Sequence, residues 1–138
     1  LIHLLLNNCD YQFPLDNLPH SLITFQYNCW INEYKYTFDH LPQGLQMLHI
    51  VGYYDNPIDN LPNTLQEFMI RIFKARIKPK HSINLDMLPD SIEILKIESD
   101  FCRITKLPTN LKKLQINRNH PDYNVLKENF PNIKDKFC

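Results

Sequence analysis

Six histidines and four cysteines among 138 residues supply the side chains that metal or nucleophilic chemistry would need. Their spacing assembles neither. Cys9, Cys29, Cys102 and Cys138 form no C-x-x-C pair, and the chain has no H-E-x-x-H or G-x-S-x-G, the intervals at which a helix or a strand-turn-helix elbow presents ligands or a nucleophile. Two glycines against ten prolines leave no glycine-rich loop through which backbone could approach a nucleotide phosphate. Other residues bear charge at suggestive places. Arg71, Lys74, Arg76, Lys78 and Lys80 form a basic run with Phe73 inside it, which could meet an anionic partner or be a solvated loop beside Pro79. Asp16, Asp39, Asp59 and Asp86 recur in one relative position with Thr105 as a fifth member, which fits oxygen acceptors closing turns onto backbone N–H groups better than a cation ladder.

Those positions are set by a repeat. Leu-Pro occurs at Leu18, Leu41, Leu61, Leu88 and Leu107. With that Leu as position 0, position +4 is Leu22, Leu45, Leu65, Ile92 and Leu111, and position +7 is Phe25, Leu48, Phe68, Leu95 and Leu114. Position +9 is Tyr27, Ile50, Ile70, Ile97 and Ile116, and position −3 is Leu15, Phe38, Ile58, Leu85 and Ile104. All these sites are apolar against a background of 43%, so chance is on the order of one in a billion before allowing for choice of register. Positions +7 and +9 have strand spacing. The Pro at +1 belongs in extended chain just before the strand, and the turn formers at +2 and +3 bend the chain into it. A rung of about 22 residues cannot enclose a core alone, but rungs stacked about 4.8 Å apart bury each apolar row against the next. The expected fold is a repeat solenoid with a parallel sheet on the concave face, extended, 3₁₀ or short second strands on the convex face, and few helices.

The unit φ-D-x-L-P-x-x-L-x-x-L-x-I resembles a leucine-rich repeat, and more narrowly the FNIP repeats of social amoebae and of the giant viruses that infect amoebae. Tyr54-Asp55-Asn56-Pro57-Ile58 is close to that family's Phe-Asn-x-x-Ile element, and Tyr11-Gln12-Phe13-Pro14-Leu15 is a looser version. The resemblance covers about residues 1 to 120. It implies a protein-interaction module in the cytoplasm, host cytoplasm if viral, with substrate recognition for a ubiquitin ligase as one role. No F-box is present in these residues.

One solenoid is expected over 1–138, with about six rungs, 1–14 being a partial first rung and 121–138 a degenerate last rung or a short capping helix beginning near Tyr123. Leu1, Leu4 and Leu6 fit positions +4, +7 and +9 of a rung whose Leu-Pro would lie upstream, so the chain is expected to be a fragment of a longer protein. Side chains at +6, +8 and +10 point away from the core. From this expected concave face the candidate partner-binding residues are His3, Leu5, Gln26, Met47, His49, Val51, Glu67, Met69, Arg71, Ile94, Lys96, Lys113 and Gln115. Leu5, Met47, Val51, Met69 and Ile94 have no evident core duty there, the mark of a surface awaiting a partner. His3 and His49, assigned to the central column of that face, stand two rungs or about 10 Å apart, too far to share a zinc ion. The cysteines read as buried thiols in a reducing compartment rather than as a disulfide, and Trp30 and the tyrosines as packing residues on the irregular flank.

Residues 1–70 carry one basic residue, Lys35, against seven acidic ones, and residues 71–138 carry fourteen basic against eight acidic, so formal neutrality conceals net charges of −6 and +6. The function expected is non-enzymatic binding of another protein on the concave sheet, with no cofactor, metal or membrane. Polyanion or nucleic-acid binding through Arg71, Lys74, Arg76, Lys78 and Lys80 is the alternative, and self-association of the acidic and basic ends stays open.

Overall fold

Proline lacks an N–H but keeps its carbonyl, and every repeat uses that carbonyl in the same way. In the computed structural model, which describes residues 1–8, 10–73 and 82–130, the Pro at +1 accepts the N–H of position +4 in all five repeats. The distances are 3.0 Å from Leu22 to Pro19, 3.0 Å from Leu45 to Pro42, 3.1 Å from Leu65 to Pro62, 3.2 Å from Ile92 to Pro89 and 3.2 Å from Leu111 to Pro108. The turn formers at +2 and +3 are the central residues of these turns, and a strand follows each one.

Among the described residues the elements are β1 (His3–Asn7), β2 (Thr24–Cys29), β3 (Met47–Gly52), β4 (Glu67–Ile72), β5 (Ile83–Asn84), β6 (Ile94–Ile97), β7 (Cys102–Arg103), β8 (Lys113–Ile116) and one helix, α1 (Tyr123–Asn129). Six strands form one parallel sheet in the order β1-β2-β3-β4-β6-β8, and β5 pairs with β7 in a second, two-stranded sheet. The molecule is thus a parallel β-solenoid of about five turns, with the second sheet on the far side of the coil. Its register is that of the repeat: Leu4, Phe25, Leu48, Phe68, Leu95 and Leu114 lie abreast, as do Leu6, Tyr27, Ile50, Ile70, Ile97 and Ile116.

Of the 25 repeat positions that are apolar, all are buried except Leu18 and Leu111, which pack partly buried against the core in the first and last repeats. Apolar burial at about 25 cal/mol per Å² is what holds each rung to the next. Polar ladders fix the stacking. The carbonyl at +5 accepts two N–H groups from the following rung, as Ile23 does from Gln46 at 2.8 Å and Met47 at 3.1 Å. Hydroxyls at +3 donate to the rung before: Ser21 to the Leu1 carbonyl at 2.9 Å and Ser91 to that of Leu65 at 2.7 Å. Asn56 donates its side-chain amide to the Tyr34 carbonyl at 3.1 Å.

The recurring Asp is less uniform than its spacing implies. Asp86 accepts from the Thr105 N–H at 2.6 Å, the Thr105 hydroxyl at 2.8 Å and the Lys106 N–H at 2.9 Å. Those donors lie one rung on, so Asp86 ties rungs together instead of closing its own turn. Asp16 instead meets His40 Nδ1 at 3.0 Å.

Gly52 ends β3 at φ 135°, and a Cβ there would stand 1.9 Å from the Cys29 carbonyl oxygen of the neighbouring rung. Only glycine allows that close approach. At the far end α1 packs Tyr123 and Leu126 into the core. Cys9, the 74–81 segment and residues 131–138 lie outside the described residues.

Candidate functional site

Alternation along the strands sends positions +6, +8 and +10 to the open face of the large sheet. There the register sets out three rows. The first runs His3, Thr24, Met47, Glu67, Ile94, Lys113, and the second Leu5, Gln26, His49, Met69, Lys96, Gln115. The third runs Asn7, Asn28, Val51, Arg71. His3 therefore belongs to the first row and His49 to the second; they do not share a column. His3 Nδ1 instead lies 2.6 Å from the hydroxyl of Thr24.

The centre of this face is organised by one carboxylate. Glu67 Oε1 accepts from Lys96 Nζ at 2.7 Å and lies 3.0 Å from His49 Nε2. The three side chains are only 17%, 24% and 15% exposed. Burial pushes the Glu67 carboxyl up, but hydrogen bonds and charge from Lys96 and His49 outweigh it and hold the group below its ordinary value. Lys96 and His49 reach Glu67 diagonally across the β3–β4–β6 ladders, which strand spacing permits for long side chains. Half-buried Met47 and Ile94 flank Glu67 in its row, and Met69 separates His49 from Lys96 in the next. The result is a patch of three apolar side chains interleaved with a locked ionic triad.

A second pair lies toward the strand ends, where Arg71 is joined to Glu98 and Gln115 Nε2 donates to Glu98 Oε1 at 3.4 Å. Arg71 is therefore paired with Glu98, although its side chain stays 43% exposed. The remaining members of the basic run, Lys74, Arg76, Lys78 and Lys80, fall outside the described residues.

Val51 departs from expectation. Its parity puts it on the open face, yet it is only 6% exposed. Trp30 and Phe73, which follow β2 and β4, bring their rings to 4.3 Å across the end of the intervening β3, so this stretch of the face is closed over by aromatic rings. Val51 is packing material, not a contact for a partner. Trp30 itself remains 42% exposed. By contrast Leu5 is 53% exposed, while Gln26, Lys113 and Gln115 are half-buried.

The fold also gathers Cys102, His120 and Asp122, which their spacing did not announce. The Asp122 N–H donates to His120 Nδ1 at 3.1 Å, Asp122 Oδ2 accepts from the Ile104 N–H at 3.0 Å, and Asp122 Oδ1 meets Arg103 at 2.6 Å. In this arrangement the His120 ring receives a backbone N–H and is not held by the carboxylate, and burial pushes the Cys102 thiol up to about 12 despite an opposing contact with Ser99. A nucleophilic cysteine requires the reverse shift. The cluster is a structural tie between the last rung and α1. Among the described residues no group of three or more His, Cys, Asp or Glu side chains could hold a metal ion, and no helix is long and apolar enough to cross a membrane.

No family model, characterised protein or solved structure matches the chain.

Proposed function

We propose that the protein is a non-enzymatic protein-interaction module that seats a partner protein on the open face of the six-stranded sheet, around Met47, His49, Glu67, Met69, Ile94 and Lys96. The observation that carries this reading is the His49–Glu67–Lys96 triad framed by half-buried apolar side chains. Side chains already locked in place lose little freedom when a partner arrives, and paired charges set among apolar contacts give orientation and specificity. The resemblance of the repeat to FNIP-type leucine-rich repeats supports the same reading and extends it to substrate recognition for a ubiquitin ligase. The buried free thiol at Cys102 is in keeping with a reducing, cytoplasmic setting.

The test is affinity capture with the wild-type chain and with His49→Asp and Met69→Asp, each checked for an unchanged melting transition. A partner held by the wild type should be lost from both variants and kept by Met87→Asp, which alters a 66% exposed residue in a turn between strands. Loss only with Met87→Asp would defeat the assignment.

Polyanion binding through the basic run draws less support, since Arg71 is already neutralised by Glu98. Salt-sensitive retention on heparin, abolished when Arg71, Lys74, Arg76, Lys78 and Lys80 are changed to Ser, would put that reading first.

A further inference from the structure

β4 runs two residues past the point where its pairing with β6 stops at Ile70 and Ile97. Beyond it the chain turns at Ser99, whose hydroxyl accepts the Phe101 N–H at 3.2 Å. The rungs part there, and a cleft of about 940 Å³ opens at the C-terminal ends of β4, β6 and β8. That volume is within the range of about 300–1,000 Å³ usual for small-molecule sites. Phe73 and Phe101 contribute half-buried rings to the lining. The rest of the lining is dominated by planar polar groups.

The mixture of those groups selects a ligand chemistry. Among the described lining residues two guanidinium groups, Arg71 and Arg118, are balanced by two carboxylates, Glu98 and Asp100, and Arg71 is already joined to Glu98, which also accepts from Gln115. A phosphate or sulfate would gain from the first pair and be repelled by the second. A lipid-like ligand would shield these groups from water and offer them no hydrogen bond in return. A hydroxyl group both donates and accepts, so a ligand carrying several neighbouring hydroxyls can give protons to the carboxylates and take them from the guanidinium and amide groups. Gln115 and Asn117 add amides that offer both functions from one plane. Aromatic rings such as Phe73 and Phe101 pack well against the C–H faces of a pyranose ring. From this we infer that the cleft is a binding site for a neutral polyhydroxylated ligand, the end of an oligosaccharide chain. The site is separate from the Glu67 patch and does not depend on the protein-binding reading.

Trp30, the only tryptophan in the chain, rests on Phe73 and so reports on the cleft by its emission. The full chain is titrated with maltoheptaose, cellohexaose and chitohexaose, and separately with inorganic phosphate and heparin. The expected result is a saturable change in Trp30 emission with at least one neutral oligosaccharide. Affinity should fall about tenfold in Glu98→Gln and in Asn117→Ala, the loss that follows from removing one good hydrogen bond, and should be unchanged in His49→Asp. No response to any neutral oligosaccharide at millimolar concentration would overturn the inference. So would a response that neither variant weakens, or one given by phosphate or heparin and strengthened in Glu98→Gln, where Arg71 is released.

Discussion

His120 is 3% exposed, and its Nε2 has no hydrogen-bond partner among the described residues. Burial holds the ring below its ordinary value of 6.5; the Asp122 charge, the Cys102 backbone and Asp100 pull the other way, while Arg103 reinforces the fall. The folded protein therefore binds this proton less readily than the unfolded chain. Stability from His120 is complete above the ordinary value of 6.5 and is lost as pH falls from there through the lower folded value. Chemical denaturation at pH 7.5 and pH 5.5 should show the wild type weaker at the lower pH. His120→Asn, which keeps an acceptor for the Asp122 N–H but does not titrate, should show a smaller difference. Nothing in the local sequence marks His120 as buried, because Asn117 to Asp122 reads as an ordinary polar turn. Its place is set by the tertiary fold, which ties the nearby Asp122 to Ile104 and Arg103.

At the scale of the rung, the same side chain is worth different amounts at different places. Leu65 at +4 in the third repeat is fully buried between rungs, whereas Leu111, its counterpart in the fifth, is only partly buried. Leu65→Ala should cost about 3 kcal/mol, as large-to-small changes in closed cores do, and Leu111→Ala about 1 kcal/mol. Urea unfolding of the two variants checks the ranking. The repeat made the identity of the buried columns legible, since a Leu-Pro turn followed by alternating apolar residues has few other ways to hide them. It could not show how the Asp column would be used. Asp86 finds three donors on the next rung and Asp16 finds His40, because what stands opposite a side chain depends on the neighbouring rung's loop.

Across the molecule, rungs touch mainly their neighbours, the Trp30–Phe73 contact over the end of β3 being an exception, so stability is graded from the middle outward. Among the described residues β3 and β4 have partners on both sides, while β1 pairs only with β2 and β8 only with β6. Amide hydrogen exchange should be slowest at Leu48, Ile50, Phe68 and Ile70, and faster at Leu4, Leu6 and Leu114. Uniform exchange across all six strands would mean a single cooperative unit instead. The charge asymmetry between residues 1–70 and 71–138 runs along this same axis, as stacking in sequence order requires. Where charges meet across rungs, they are partly spent, as at Lys96–Glu67, Arg71–Glu98 and Lys112–Glu93.

Periodicity alone determined the coil, its parallel pairing and its register, because a repeated unit that cannot bury its own apolar face has to bury it against its copies. It likewise named the rows of the open face, including Met47, His49, Glu67, Met69, Ile94 and Lys96. Tertiary structure decided which of those side chains a partner could reach. Val51 is lost to the Trp30–Phe73 contact, Arg71 has its charge paired with Glu98 while staying exposed, and Glu67 gathers two cations from separate strands. These outcomes depend on distances between residues about twenty positions or more apart along the chain, and such distances exist only after the rungs have stacked.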